Sequence, residues 1–374
     1  MIERRADVRQ ESLDMIYNFV RRGIKERATD IHWEPLSIMG KEELVIRFRV
    51  DGILKDIDKV SDEKTNLASV ISAIKIMSGM DPTKRRNEQD GRFTFLHENV
   101  EYDVRVASMP TILGEKLVLR LMDRNRYCMK LTELGMTKDA LELLETMVFK
   151  PEGFLLATGP TGSGKTTTLY SIIQHIYSRE KNICTIEDPV EVRFPGINQI
   201  QVEHEFGMTF VTGLRAIMRQ DPNVIAVGEM RDAETVRTAL QAALAGSMIF
   251  STLHARDGIN TIVRLLDMGV EPFFISTALT GVVSQRLVRL VCKICKGRGC
   301  PQCSNTGYKK RIGIFEIVKI GDIIKQLILR KASYEELRAA AMEQGMVPFA
   351  KSIEPLIQQG LTTQEEVDRV LALQ

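Results

Sequence analysis

Residues Gly159-Pro160-Thr161-Gly162-Ser163-Gly164-Lys165-Thr166 fit the spacing G-x-x-x-x-G-K-[ST]. That order suits one chemistry. Glycines let the backbone wrap a phosphate and turn its N–H groups inward. The lysine brings a positive charge to the β and γ phosphates, the threonine hydroxyl is a ligand for Mg²⁺, and a following helix adds its dipole. An apolar run, Gly153 to Thr158, precedes the loop. A helix with Leu169, Ile172, Ile173 and Ile176 on one face is predicted from Thr166 to Ser178, with Thr167 in its first turn. This is the strand–loop–helix context a P-loop needs, and ATP with Mg²⁺ is the expected ligand pair. The alternative, an ordinary glycine turn, does not call for the lysine.

A P-loop enzyme needs carboxylates at the ends of neighbouring strands. Val224 to Val227 is one such run, followed by Gly228 and Glu229. A carboxylate at 229 can hold Mg²⁺ through water or orient the attacking water. Glu187 and Asp188, then Glu191, follow the run ending at Ile186, and His254 follows Ile249 to Thr252. In open α/β sheets the ligand crevice lies at the carboxyl ends of the strands, so Glu229, Glu187 and His254 are expected to converge on the P-loop. His254 reads as a sensor of the γ-phosphate and Glu187 as a helper in the water and metal network.

Cys292-x₂-Cys295-x₄-Cys300-x₂-Cys303 forms two thiolate pairs joined by a short Lys-Gly-Arg-Gly link. Each pair can offer two sulfurs to one tetrahedral Zn²⁺. Reduced surface thiols or a redox pair are the alternatives. Cys128 and Cys184 are isolated and read as structural. From Arg286 to Arg311 there are eight Lys plus Arg and no acid. Some of that charge would balance a Zn(Cys)₄ centre. The rest could face solvent, an acidic partner or anionic lipid.

The elements that must position these groups fall into two blocks. The 374 residues suffice for two domains, and a net charge of +2 speaks against a purely electrostatic nucleic-acid packager. No apolar run is long enough to span a bilayer, and no h-region follows the N-terminus, so a cytoplasmic protein is expected. The stretch Thr238 to Leu253 reads as buried core. The first block has a helix over Val8 to Arg27, an extended stretch at Ile31 to Pro35, and strands at Leu44–Val50, Arg92–Leu96, Glu101–Ala107 and Lys116–Met122. A second helix is expected from Asn66 to Met80, and Asp51-Gly52 is a turn signal. The polar stretch Asp123 to Tyr127 reads as a linker. Beyond it short apolar strands alternate with helices, and the chain after Ile314 is expected to be helical.

Together these motifs resemble the secretion and pilus-assembly ATPases of the GspE/PilB type. The P-loop is similar to their Walker A, Thr185 to Glu191 to their Asp box, Leu214 to Glu229 to their Walker B region, and Ser251 to His254 to their His box. Upstream, Ala28 to Pro35, Gln89-Asp90-Gly91-Arg92 and Arg105 to Pro110 resemble motifs of the family's second N-terminal domain. The resemblance runs from about residue 12 to about residue 320.

It implies an α/β fold. A PAS-like N-terminal α+β domain spans 1–125, a linker 126–133, and a RecA-like P-loop ATPase domain 134–374. The last includes a small tetracysteine zinc-binding insertion at 286–311. It implies a homohexameric ring in the cytoplasm, at the inner face of the cell membrane. ATP would sit between the domains, and Arg92 and Arg105 would reach the γ-phosphate. Arg215 and Arg219 would lie near the nucleotide. The ring would act on an inner-membrane platform protein, with an anionic membrane surface as a further contact and no nucleic acid expected.

Three features depart from the family pattern. Most members carry another domain ahead of these motifs, so the chain reads as a short competence-type member or a truncated one. Ser247 stands where many relatives have a second histidine, and the cysteine spacer is compressed. Two rival readings are a RecA-like nucleic-acid motor and a nucleotide-gated scaffold that does not hydrolyse ATP.

Overall fold

The computed structural model describes residues 10–38, 40–61, 67–123 and 129–372. Residues 124–128, which include Cys128 and most of the stretch read as a linker, lie outside them. The chain divides into two compact units, Met1–Arg124 and Asn125–Gln374.

In the first unit, helix α1 (Gln10–Lys25) and strands β1 (Ala28–Ile38), β2 (Lys41–Val50) and β3 (Ile53–Ser61) are followed by α2 (Leu67–Met77), β4 (Gln89–His97), β5 (Val100–Thr111) and β6 (Gly114–Asp123). The strands form one antiparallel sheet in the order β3-β2-β1-β6-β5-β4. One face is apolar. Ile16, Phe19 and Val20 of α1 meet Ile31 and Trp33 of β1 in a single core, and the Phe19 and Trp33 rings meet edge to face at 5.4 Å. A Cβ on Gly23 would stand 2.9 Å from Ile31 Cδ1, so the helix approaches the sheet closely only because that residue has no side chain.

Asp51 and Gly52 both have positive φ (49° and 88°), and Val50 pairs with Ile53. This is a two-residue hairpin with left-handed backbone at both central positions, the geometry that favours Asp-Gly. The turn therefore leads into β3, a strand the sequence reading lacks. Its charged residues give no apolar run because it forms an edge of the sheet.

The second unit contains α3 (Lys138–Val148), β7 (Gly153–Thr158), α4 (Lys165–Ile176), β8 (Ile183–Glu187), β9 (Asn198–Gln201), α5 (Phe210–Ile217), β10 (Val224–Val227), α6 (Ala233–Leu244), β11 (Met248–Leu253), α7 (Gly258–Asp267), α8 (Pro272–Ala278), β12 (Leu279–Val291) and β13 (Tyr308–Lys319). Helices α9 (Asp322–Leu329), α10 (Tyr334–Glu343), α11 (Phe349–Ser352), α12 (Glu354–Gln358) and α13 (Gln364–Ala372) complete it. The sheet order is β13-β12-β7-β11-β10-β8-β9. All neighbours are parallel except β12 and β13. Strands β7, β8, β10 and β11 are buried along their whole length, which is why each reads as a short unbroken apolar run.

One expectation is corrected here. The chain after Ile314 does not turn helical at once, since β13 continues to Lys319 and pairs with β12 through Gly281↔Lys319. Strand β13 is an edge of the sheet, yet its residues 313–318 are buried, as are residues 279–286 of β12, so their apolar residues follow no simple alternation. The cysteine cluster sits at the far end of this hairpin.

Candidate functional site

The parallel register brings the carboxyl ends of four strands to one edge. Leu253 pairs with Thr158, and Val227 pairs with both Ser251 and Ile186. The P-loop, Glu187, Glu229 and His254 each follow one of these ends. Strand β11 lies between the P-loop strand and β10, so His254 emerges between the P-loop and Glu229. Thr158 Oγ1 donates to the Leu253 carbonyl at 3.0 Å, tying the two strand ends together. The two loops are short and pinned at their far ends. Asp232 caps α6 by accepting from Thr235 N at 2.8 Å, and Asp257 caps α7 by accepting from Asn260 N at 2.7 Å. Each cap contributes about 1 kcal/mol and stands three residues beyond the group it helps to place.

The loop is shaped for an anion. Gly159, Gly162 and Gly164 have φ of 152°, 77° and 92°. A Cβ on Gly159 would lie 2.5 Å from Ser163 Oγ and 2.6 Å from the Gln285 carbonyl oxygen. The Ser163 hydroxyl is buried with no hydrogen-bond partner, an orphan that a phosphate oxygen would satisfy. Lys165 is 8 % exposed and folds over the loop, with Nζ donating to the carbonyls of Gly159 (2.9 Å) and Pro160 (3.0 Å). Burial pulls its pKa down to about 8, against an upward pull from Glu229, and Arg286 lowers it further. An ammonium shared between two carbonyls in a buried cradle is a cation in want of an anion, so the residues fit a nucleotide phosphate. Thr166 follows Lys165, half-buried in the first turn of α4, where a hydroxyl can serve the Mg²⁺ that accompanies ATP.

Glu229 and His254 come together, with His254 Nε2 3.9 Å from Glu229 Oε2. Burial lowers the His254 pKa, Lys165 lowers it further, and Glu229 opposes them. Glu187 is placed differently. It is 4 % exposed, and its carboxylate accepts from Tyr170, from Thr185 at 2.5 Å and from Gln199 at 3.1 Å. Arg215 donates to Glu234 at 3.1 Å and Arg219 to the Arg215 carbonyl at 2.9 Å, so these two arginines are engaged along α5 and with α6. Arg92 and Arg105 belong to the first unit and stand directly opposite each other on β4 and β5. Arg120 is next in the row, opposite Arg105. Like charges side by side on one sheet face destabilise it unless an anion joins them. Asp30 takes Arg120 at 2.9 Å.

Four groups at this edge were not singled out in the sequence. Gln285 accepts from Thr168 at 2.5 Å and lines the P-loop. Arg286 is buried and donates to the carbonyls of Gln285 (3.0 Å) and Arg256. Arg231 donates to Glu229 and lies 3.7 Å from Asp188. Tyr170 bonds Glu187. Gln285 and Arg286 come from β12, and only the sheet order brings them beside β7.

At the end of the β12–β13 hairpin the four cysteine sulfurs lie within 4.8 Å of one another. Three separations are 3.9 Å (Cys292–Cys300), 3.7 Å (Cys295–Cys303) and 3.7 Å (Cys300–Cys303). A tetrahedron of Zn–S bonds of about 2.3 Å has an edge of about 3.8 Å, so the sulfurs fit one such ion. At Cys303 burial raises the thiol pKa, but backbone N–H groups outweigh it and pull the value to about 6; burial pushes Cys300 up to about 11. The knuckle is tight, since a Cβ on Gly307 would stand 2.3 Å from the Gly297 carbonyl oxygen. Of the basic residues nearby, Arg286 is internal and Arg289 is spent on buried Glu366 at 2.6 Å, while Lys293, Lys296 and Arg298 are exposed on the knuckle. Buried Cys184 lies at 3.5 Å from Asn182 Oδ1. Ser247 lies just before β11, at the opposite edge of the sheet from His254, and donates to the Pro222 carbonyl at 2.9 Å.

The fold and this edge define a RecA-like P-loop NTPase. The sequence pattern of the family described as Type II/IV secretion system protein matches residues 8–369, and the chain belongs to that family. It is 42 % identical over 364 residues to the type II secretion system protein HxcR of Pseudomonas aeruginosa, covering 95 % of this chain and 76 % of the relative. It is 40 % identical over 375 residues to the type IV pilus assembly ATPase PilB of Thermus thermophilus, covering 93 % of this chain and 42 % of that protein. Among solved structures, the pilus retraction motor PilT with bound ADP superposes with a TM-score of 0.64 at 27 % identity, over 95 % of this chain and 96 % of the other. The chain is accordingly an ATP-hydrolysing NTPase. Among the described residues no helix is long and apolar enough to cross a membrane.

Proposed function

We propose that the chain is a homohexameric ATPase motor that powers assembly of a type IV pilus or of a type II secretion or competence pseudopilus. The observation that carries this reading is the meeting of Lys165, Glu229 and His254 at one sheet edge, in a family of secretion and pilus ATPases. Lys165 leaves the loop carbonyls for the β and γ phosphates. Glu229 orients the attacking water or accepts its proton, and His254 senses the γ-phosphate. Arg92 and Arg105 act from the first unit, stabilising the charge that develops on transfer and coupling it to domain motion. Glu187 assists by holding the loop beside the site. Thr166 would hold Mg²⁺, which would supply charge that neutralises the phosphates. Arg215 and Arg219 would approach nucleotide only after leaving their present partners.

The four cysteines would hold Zn²⁺, which supplies a crosslink at the end of the β12–β13 hairpin. The ring works in the cytoplasm at the inner face of the membrane, against a platform protein. The exposed Lys293, Lys296 and Arg298 offer a basic face to an anionic membrane surface. A nucleic-acid motor and a non-hydrolysing scaffold are both disfavoured by the family. The test is Glu229→Gln. It should keep ATP binding and lose turnover by about a hundredfold or more. Normal phosphate release from that variant would remove Glu229 from the chemistry.

A further inference from the structure

The buried polar groups behind the P-loop form one connected set. Tyr170 lies in the second turn of α4, five residues after Lys165, and is 1 % exposed. Its hydroxyl donates to one oxygen of Glu187 and accepts from the Glu191 backbone N–H at 3.3 Å. Thr185 and Gln199 donate to the other Glu187 oxygen. Gln199 also donates to the Val192 carbonyl at 2.9 Å and accepts from Phe194 N at 2.8 Å. The Phe194 ring meets the Tyr170 ring edge-on at 5.0 Å. Residues 188–194 are therefore held by the P-loop helix at Glu191 and Phe194, and by Gln199 of β9 at Val192 and Phe194. The first of them, Asp188, lies 3.7 Å from Arg231, whose guanidinium bonds Glu229.

We infer that the Tyr170 hydroxyl is a positioning group for hydrolysis, with buried Glu187 as its strut: together they hang the 188–194 loop from the P-loop helix and so set Arg231 and Glu229. A phenol this deeply buried is costly unless its hydroxyl is paired, and here it both donates and accepts. Glu187 directs its carboxylate into this network, so its contribution is to hold the loop. The chain of contacts joins the helix that carries Lys165 to the carboxylate facing the attacking water.

The kinetic half of this inference rests on the ATPase reading above; the anchoring half does not. The experiment compares the full chain with Tyr170→Phe, Glu187→Gln and the double variant. Tyr170→Phe keeps the ring against Phe194 and removes only the hydroxyl. Amide hydrogen exchange at Glu191 should become about tenfold faster in Tyr170→Phe, because its acceptor is gone. Turnover should fall by about tenfold, with ATP affinity within about twofold of the parent. The double variant should turn over within about twofold of the slower single variant, as expected of groups acting as a unit.

Unchanged exchange at Glu191 overturns the inference, as does unchanged turnover in Tyr170→Phe. So does an affinity loss that matches the loss of turnover. A dead Glu187→Gln beside a normal Tyr170→Phe would make Glu187 a chemical group in its own right. A parent without phosphate release contradicts the ATPase reading instead, and exchange at Glu191 still decides whether the hydroxyl anchors the loop.

Discussion

His254 Nε2 lies 3.9 Å from Glu229 Oε2, with the first residue just past β11 and the second two residues past β10. Adjacent strands in one register create this meeting, and the Thr158 bond to the Leu253 carbonyl fixes its depth. Burial and Lys165 favour the neutral imidazole, so His254 can report on phosphate through a hydrogen bond without adding a charge beside Lys165. His254→Ala should lower turnover by about tenfold or more while ATP affinity changes by less than about threefold. Parallel turnover and equilibrium-binding measurements check this. A loss confined to affinity would make His254 a binding group.

Lys165 predicts a pH dependence of nucleotide binding. Its pKa in the free protein is held at about 8, chiefly by burial. Below that value Nζ already carries the proton a phosphate needs. Above it the free protein has lost the proton, and binding must take one up. ATP affinity should therefore be flat below about pH 7 and fall by up to about tenfold per unit above about pH 8, until the raised pKa of the complex is reached. Calorimetric titration at pH 9 in two buffers of different ionisation heat should register proton uptake. Affinity that rises with pH would contradict the assignment.

Gly159 and Gly162 both have positive φ, but only Gly159 is crowded. A methyl there would press on Ser163 Oγ and the Gln285 carbonyl, whereas Gly162 has no heavy atom within 4 Å of the same position. Gly162→Ala should cost about 1 kcal/mol from backbone conformation alone. Gly159→Ala must move β12 or the loop and should weaken ATP binding by more than about tenfold. Binding titrations with both variants separate the two effects.

The cysteine cluster predicts one zinc per chain. Purified protein should contain about one Zn²⁺, and Cys303→Ser should reduce it to below about 0.2. Exchange protection should be lost from the knuckle, residues 292–307, while ATP affinity stays within about twofold, because the knuckle begins beyond the end of β12 and Gln285 lies in the middle of that strand. Elemental analysis with hydrogen exchange tests both halves. Wild-type protein without zinc would contradict the metal assignment.

The P-loop was readable because phosphate chemistry needs its groups contiguous. The cysteines were readable because metal pairs have a fixed spacing. Strands β7, β8, β10 and β11 announced themselves as unbroken apolar runs because both their faces are covered. Gln285 was invisible for the opposite reason: it lies 117 residues from Thr168, its hydrogen-bond partner, and they meet only through the order β12-β7. Tyr170 passed unremarked because its ring is buried core and nothing local marks the hydroxyl. Strand β3 was hidden by charges that an edge strand can carry, and the strand character of 314–319 by continuous burial over 313–318, which leaves no alternation to read.

The central claim is a motor whose units cooperate, and steady-state phosphate release measured across protein concentration, with Arg92→Ala alongside, tests it most directly. Specific activity should climb as chains associate, and the Arg92 variant should bind ATP yet release almost no phosphate. Activity that is flat with concentration and indifferent to Arg92 would contradict the ring and leave a simple nucleotide switch.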